Sequence, residues 1–329
     1  MPFFKPAPWT LRESCDSKNT HKPIIMESNT MPTVGKSQTP FPISTTPPAT
    51  PTVMASKAHE LINEIRTIYT TLNTLSDLSP TPVVNANLSR LVELCIKPYS
   101  KDLISHVLSI PGFEPLCIQL RHLCSTAEGL LETHWAERLN SATLANPASP
   151  SERELHLRNF IYYQNYLDLT RIECATLEAF LHTPKPTPRN ICFIGSGPLP
   201  LTSFCILDRY PDAHVHNIDR DQSALSLSEQ LAAKLGYIAR MTFSGEDVST
   251  MSSKSKDSTA WSDFDVVFLA ALVGMDTSSK LAILESLAKR LKPGTLVVVR
   301  SAHGLRSVLY PVSHLISSKM RRERELMWR

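Results

Sequence analysis

Residues 190–219, NICFIGSGPLPLTSFCILDRYPDAHVHNID, constrain the fold of this chain more than any other stretch. Ile191-Cys192-Phe193-Ile194 is an apolar run of the kind that fills a strand buried on both faces. Gly195-Ser196-Gly197-Pro198 then breaks the chain, and the apolar periodicity from Leu199 to Leu207 predicts a helix. A second strand, Ala213 to Ile218, ends on a carboxylate, Asp219. Strand, glycine turn, helix, strand and acid together form the nucleoside-binding half of a doubly wound α/β fold. The glycines allow a ligand to approach the backbone closely. Asp219, 24 positions after Gly195, is placed to accept hydrogen bonds from ribose hydroxyls.

A glycine pair after a strand also occurs in ordinary strand-to-helix turns, and the acid closing the second strand is what raises the ribose reading above that alternative. The third glycine of the dinucleotide pattern is missing, with Leu199 and Pro200 nearby. No helix N-terminus is thereby freed for a pyrophosphate. The expected ligand is a nucleoside without phosphates, and S-adenosylmethionine, an adenosine with a charged amino-acid tail, has that character.

After residue 188, strands and helices alternate. Arg240–Phe243, Asp265–Ala270 and Leu296–Arg300 read as the third to fifth strands, and Thr277 to Leu291 as a helix stopped by Lys292-Pro293-Gly294. Residues 249–262 are polar and serine-rich, as in a loop. In such a sheet the ligand lies at the carboxyl ends of the strands. Gly195–Pro198 (with Ser196 and Gly197), Asp219, Asp247, Ala270–Gly274 and Arg300–His303 converge there. Asp247 is placed for the adenine amino group. Arg300 and His303 either recognise a carboxylate or merely cap a strand exit.

Ahead of the sheet the pattern is helical. Leu61, Ile62, Ile65, Ile68, Tyr69, Leu72 and Leu75 recur at helical spacing, and prolines 80 and 82 are expected to end that helix. Helices are expected over Asn87–Ile96, Lys101–Leu108, Phe113–Leu139 and about Ser151–Leu181, with a proline-rich linker at 183–188. Glu128 and Glu132 are neighbours on one flank of the fourth helix, and a solvated helix edge is the ordinary account of such a pair. Tyr162, Tyr166, Leu169 and Glu173 share a face, with Tyr163 beside it; tyrosines at this spacing usually serve as core. The domain expectation is 1–54 disordered, with ten of the 25 prolines, 55–183 helical, and 184–329 an α/β domain. Glu13, Asp16 and Glu27 argue against a transit peptide in the first segment.

The totals narrow the function classes. Lys plus Arg number 34 against 31 acids, so no dedicated nucleic-acid surface is expected. Eleven histidines lack the paired spacing of a zinc site, and no protein-bound metal is expected. Seven cysteines without Cys-x-x-Cys fit reduced thiols in a cytoplasmic protein, and Cys192 and Cys205 read as core. No run of 18 apolar residues predicts a membrane span. The expected partner is a small molecule, and the oligomeric state is left open.

Five stretches carry a family likeness: AEGLLETHWAERL (127–139), FIYYQNYLDLTRIE (160–173), FIGSGPLPLTS (193–203), DVVFLAALVGM (265–275) and VVVRSAHGLRSVLYP (297–311). Through them the chain resembles the nicotianamine synthases over most of residues 115–311. The resemblance implies a helical N-terminal domain, serving as a lid, on a Rossmann-like domain of the class I methyltransferase type. It also implies that aminobutyryl groups of S-adenosylmethionine, used as substrate, are joined with release of methylthioadenosine. Three such groups give a metal chelator in the plant-like members. An attacking amine must be neutral, which calls for an acceptor beside it. The resemblance points to Glu132 in that role with Tyr166 beside it, and to Glu128 and Tyr163 as reserves. One departure is visible: after Leu-Tyr-Pro the chain ends in a basic tail, SSKMRRERELMWR, without strand alternation, so the sheet is expected to lack its final strand. Two other functions fit the same fold: a small-molecule methyltransferase, and a non-catalytic protein that binds S-adenosylmethionine.

Overall fold

The computed structural model describes residues 51–144, 147–181, 187–250 and 259–312. Six helices come first: α1 (Pro51–Asn73), α2 (Pro82–Ile96), α3 (Lys101–Ser109), α4 (Phe113–Ser141), α5 (Pro150–Leu157) and α6 (Tyr163–Phe180). Strands and helices then alternate as β1 (Asn190–Ile194), α7 (Leu201–Arg209), β2 (His214–Asp219), α8 (Gln222–Lys234), β3 (Met241–Gly245), β4 (Val266–Leu269), α9 (Thr277–Ala288) and β5 (Leu296–Val299). The expected disorder of 1–54 falls largely outside the described residues, as do most of the 183–188 linker and the C-terminal tail. Residues 51–54, expected in that first segment, are the start of α1.

The five strands form one sheet in the order β3-β2-β1-β4-β5, every pairing parallel. Alternation along a strand sends successive side chains to opposite faces, and here both faces are buried. Ile191 and Phe193 of β1 join Val215, Val266 and Phe268 under α7 and α8. Cys192 and Ile194 join Ile218, Val267 and Leu269 under Ile283 and Leu287 of α9 and under Trp261 and Phe264. This is a doubly wound, Rossmann-like sheet. β5 lies at one edge, where Val297 is exposed, and among the described residues no strand pairs beyond it.

The helices divide between two cores, and this corrects the expected boundaries. α1, α2, α3 and the first half of α4 (Phe113, Leu116, Cys117, Leu120, Cys124) build one core. The second half of α4 (Leu131, Ala136, Leu139) and Tyr163, Cys174 and Leu177 of α6 belong to the core that covers the sheet. Leu305, Val308 and Leu309, in a 3-10 turn after β5, pack into the helical core although they were expected in the sheet domain. The chain therefore crosses back, and α4 runs through both cores.

The helices also differ from expectation in three places. Pro82 begins α2 rather than ending α1, because proline at the first helical position loses only an N–H that had no partner; Thr81 caps it, accepting from the Val84 N–H. The helix expected over 151–181 is two, because the chain turns at 158–162 to bury Phe160 with its ring 5.6 Å from Trp135. The sequence reading also passed over α8. Its serine-rich apolar stripe (Ala224, Leu225, Ser228, Leu231) packs beside β2 and β3.

Leu305 tests the crossing. It is 3 % exposed in the helical core, so Leu305→Ala will lower stability by about 2–5 kcal/mol in urea unfolding. A segment lying on the surface would change it by only about 0.5 kcal/mol either way.

Candidate active site

The glycine turn after β1 is tightly specified. Gly195 and Gly197 have φ of +81° and +64°, which side chains rarely tolerate. The Gly195 N–H donates to the Ile218 carbonyl at 2.7 Å, and the Gly197 N–H to Asp219 Oδ2 at 2.9 Å. Asp219 Oδ1 accepts from the Asp221 N–H at 3.0 Å. The acid closing β2 thus holds the glycine turn. A Cβ on Gly195 would lie 2.5 Å from Val273 Cγ2, and one on Gly197 would lie 2.8 Å from Glu132 Oε2. The second distance places the α4 carboxylate directly on the turn.

Glu132 sits where α4 passes from one core to the other. Tyr166 Oη donates to Glu132 Oε1 at 3.0 Å. One turn earlier, Tyr310 Oη lies 3.5 Å from Glu128 Oε1. Burial raises the Glu128 carboxyl above its ordinary 4.5 to about 7; the Tyr310 hydroxyl and the Arg300 charge oppose that rise. Burial also raises Glu132, to about 8, helped by the like charges of Glu128 and Asp219 and opposed by the Tyr166 hydroxyl and Arg300. The phenols of Tyr166 and Tyr162 are raised chiefly by burial, and Tyr310 chiefly by the Glu128 charge. They remain protonated donors. Near neutral pH the cluster holds acids that take up a proton readily, beside phenols that keep theirs.

Arg300, at the end of β5, departs from expectation. Its Nε and Nη2 donate to Glu173 Oε1 and Oε2 at 2.8 and 2.9 Å, and Nη2 also donates to Thr202 Oγ1 at 3.0 Å. The guanidinium lies over the Phe193 ring at 5.4 Å. The fork expected to bind a ligand carboxylate is therefore already taken by Glu173, a bidentate pair that satisfies two donors in a nearly buried place.

The remaining expected residues sort clearly. Ala270 accompanies the turn, its N–H donating to the Ile194 carbonyl at 3.0 Å. Ser196 and Pro198 are buried in the turn, and Ser196 Oγ has no hydrogen-bond partner among the described residues. Asp247 stands at the rim past β3, exposed, with Oδ1 accepting from the Ser249 N–H at 2.9 Å and its hydroxyl at 2.6 Å. His303 is exposed, and among the described residues no hydrogen bond ties it to the cluster. Tyr163 is not in the cluster. It is buried on another flank of α6, where burial and then Cys205 and Asp208 raise its phenol. The turn that starts α6 at Tyr163 separates it from Tyr162, which faces Glu128.

Sequence reasoning missed Tyr310 and Lys280. Tyr310 lies inside the family-like stretch 297–311 but carried no spacing signal of its own, because its approach to Glu128 depends on the 3-10 turn packing into the helical core. Lys280 is fully buried, with no carboxylate partner among the described residues, donating to the carbonyls of Ala271 (2.8 Å), Ala270 (3.3 Å) and Arg300 (3.5 Å). Burial lowers it to about 8. It ties the loop after β4 to the end of β5, and a lysine within the apolar pattern of α9 was its only sequence trace.

Against known proteins, residues 54–322 match the family model described as nicotianamine synthase protein. Nicotianamine synthase 9 of Hordeum vulgare is 38 % identical over 254 residues, 77 % of this chain and 69 % of that protein. The nicotianamine synthase of Solanum lycopersicum is 36 % identical over 264 residues, 79 % of this chain and 76 % of that protein. Among solved structures, MtNAS in complex with MTA and tNA aligns with a TM-score of 0.59 at 21 % identity, over 81 % of this chain and 88 % of that one. A mutant of MtNAS in complex with S-adenosylmethionine aligns with a TM-score of 0.58 at 23 % identity, over 77 % and 87 %. These two structures share the fold.

Glu132 makes the electrostatics testable. A carboxyl whose folded value is raised favours the protonated form. The stability this lends is complete below the ordinary value of 4.5 and is lost as pH rises through about 8. The unliganded Glu132→Gln protein should therefore melt above the unsubstituted one near pH 9 and close to it near pH 5, as followed by circular dichroism. A Tm difference that does not vary with pH would contradict this.

Proposed function

The chain belongs to the nicotianamine synthase family, and from that premise we propose how its site joins three aminobutyryl groups of S-adenosylmethionine into nicotianamine. A neutral amine attacks the aminobutyryl carbon next to sulfur. The C–S bond breaks, its electron pair stays on sulfur, and methylthioadenosine leaves as a neutral thioether. The new N–C bond makes the nitrogen an ammonium, and a carboxylate takes the proton it sheds. Glu132 is that carboxylate. The observation carrying the assignment is its Oε2 lying 2.8 Å from where a Gly197 Cβ would stand, which sets a base against the nucleoside cradle. Desolvation gives it the basicity that the transfer needs near neutral pH. Tyr166 holds its other oxygen.

Asp219, fixed by the N–H groups of Gly197 and Asp221, accepts from the ribose hydroxyls. Asp247 accepts from the adenine amino group at the rim. Ser196 Oγ, buried without a partner, is available to donate to the ligand. Selection of the aminobutyryl carbon over the methyl is positional, set by which carbon lies in line between the amine at Glu132 and the departing sulfur. The helical core, closed by residues 304–309, forms the lid over this chamber. The product, a chelator, points to a role in metal homeostasis, and the reduced, buried cysteines fit a cytoplasmic setting.

Incubation with S-adenosylmethionine alone should release methylthioadenosine and form a metal-binding product. Adenosylhomocysteine formed only with an added acceptor would identify a methyltransferase instead, and binding without either product would identify a non-catalytic binder. Glu132→Gln should lower turnover by about 10²–10⁴-fold, the usual share of a general base, while the calorimetric Kd for S-adenosylmethionine stays within about threefold. Unchanged turnover would remove Glu132 from the role.

A further inference from the structure

Glu128 and Glu132 are not equivalent. Glu132 lies on the glycine turn and is held by Tyr166 from α6, whereas Glu128 stands one helical turn away, at Tyr310 from the far end of the chain. Residues four apart on a helix have Cβ atoms about 5–6 Å apart. Successive nitrogens in a chain of aminobutyryl units are separated by three carbons, about 5 Å when extended at ordinary bond lengths. The two repeats match.

The helix also leaves room on this flank. Gly129, between the two glutamates, is half-buried, and a Cβ there would meet no atom within 4 Å. Glycine is a poor residue for a helix interior, and no neighbouring protein atom requires it here. Open space beside a half-buried acid pair is what an elongating cationic chain needs.

We propose that Glu128, together with Tyr310, is a second amine-binding carboxylate, which receives the nitrogen just alkylated when the growing chain moves along one unit. The proposal rests on the condensation reading above. After one condensation the newly added unit carries a primary amine, and the nitrogen that attacked is now secondary, three carbons away. Moving one unit along α4 brings the primary amine to Glu132 for the next attack, and leaves the secondary one as an ammonium at Glu128, past Gly129. The first condensation presents no such second nitrogen, so Glu128 matters chiefly for extension.

The test compares the unsubstituted protein with Glu128→Gln and Gly129→Leu, each given S-adenosylmethionine alone, with methylthioadenosine and products resolved by mass spectrometry. Both variants should accumulate the product of one condensation. The ratio of longer product to that one should fall about tenfold or more, the effect of one charge-assisted hydrogen bond or of a blocked path. Gly129→Leu replaces a poor helix former by a good one, and a melting curve shows that it folds. An unchanged ratio in the folded Gly129→Leu and Glu128→Gln proteins, or equal loss of both products, overturns the proposal and leaves the condensation reading standing. Absence of methylthioadenosine from the unsubstituted protein overturns both.

Discussion

The site depends on one constraint: a single long helix must serve two hydrophobic cores. Between Cys124 and Leu131 the apolar stripe of α4 passes from the helical core to the sheet core, with Ala127 as its buried residue in between. At that crossing the helix offers its neighbours carboxylates, Glu128 and Glu132. Among the described residues neither is ion-paired with a lysine or arginine. They are kept instead by phenols, which satisfy an oxygen without cancelling its charge. An acid that is desolvated but not ion-paired becomes a stronger base than one in water. The packing that joins the two cores thus creates the basicity that the proposed reaction uses.

The Arg300–Glu173 pair follows from the same requirement. An unpaired guanidinium at the end of β5 would hold both glutamates in their charged, weakly basic form. Glu173 absorbs that charge through two hydrogen bonds of 2.8 and 2.9 Å, and Arg300 opposes the rise of Glu128 and Glu132 only weakly. Burying such a pair contributes little stability by itself, since desolvation offsets attraction. Its value here lies in leaving the neighbouring carboxyls basic.

How far the sequence revealed this depended on whether the signal was local. The strand–glycine–strand–acid pattern of 190–219 is local, and the sheet forms as read, with its crossover order and both faces buried. Glu132 and Tyr166 were chosen through a family likeness; helical spacing alone made Glu132 a solvated edge and Tyr166 a core ring. The structure joins them across 34 residues. Tyr163, adjacent to a tyrosine that does face the acids, went to another flank because a turn at Phe160 reset the helical phase. Arg300 follows directly on β5, but its partner lay 127 positions away, beyond any pattern of spacing. Tyr310 and the crossing at 304–309 left no local trace, since only the packing of Leu305 and Val308 brings that segment back to α4.

The charge balance of the cluster also explains why a sulfonium substrate suits it. Glu128, Glu132 and Asp219 are three acids, and the Arg300 guanidinium near them is paired with Glu173. S-adenosylmethionine brings two positive centres, its sulfonium and its ammonium, against one carboxylate. A cation entering such a site lowers the cost of ionising the acids. An ammonium beside a raised carboxyl can then pass its proton across without either charge meeting bulk water. In the proposed condensation the sulfonium charge vanishes when the C–S bond breaks and reappears on the attacking nitrogen, which that reading sets beside Glu132. On that reading the acids favour the charge distribution after bond exchange over the one before it, which is the condition for lowering the barrier rather than merely binding the substrate.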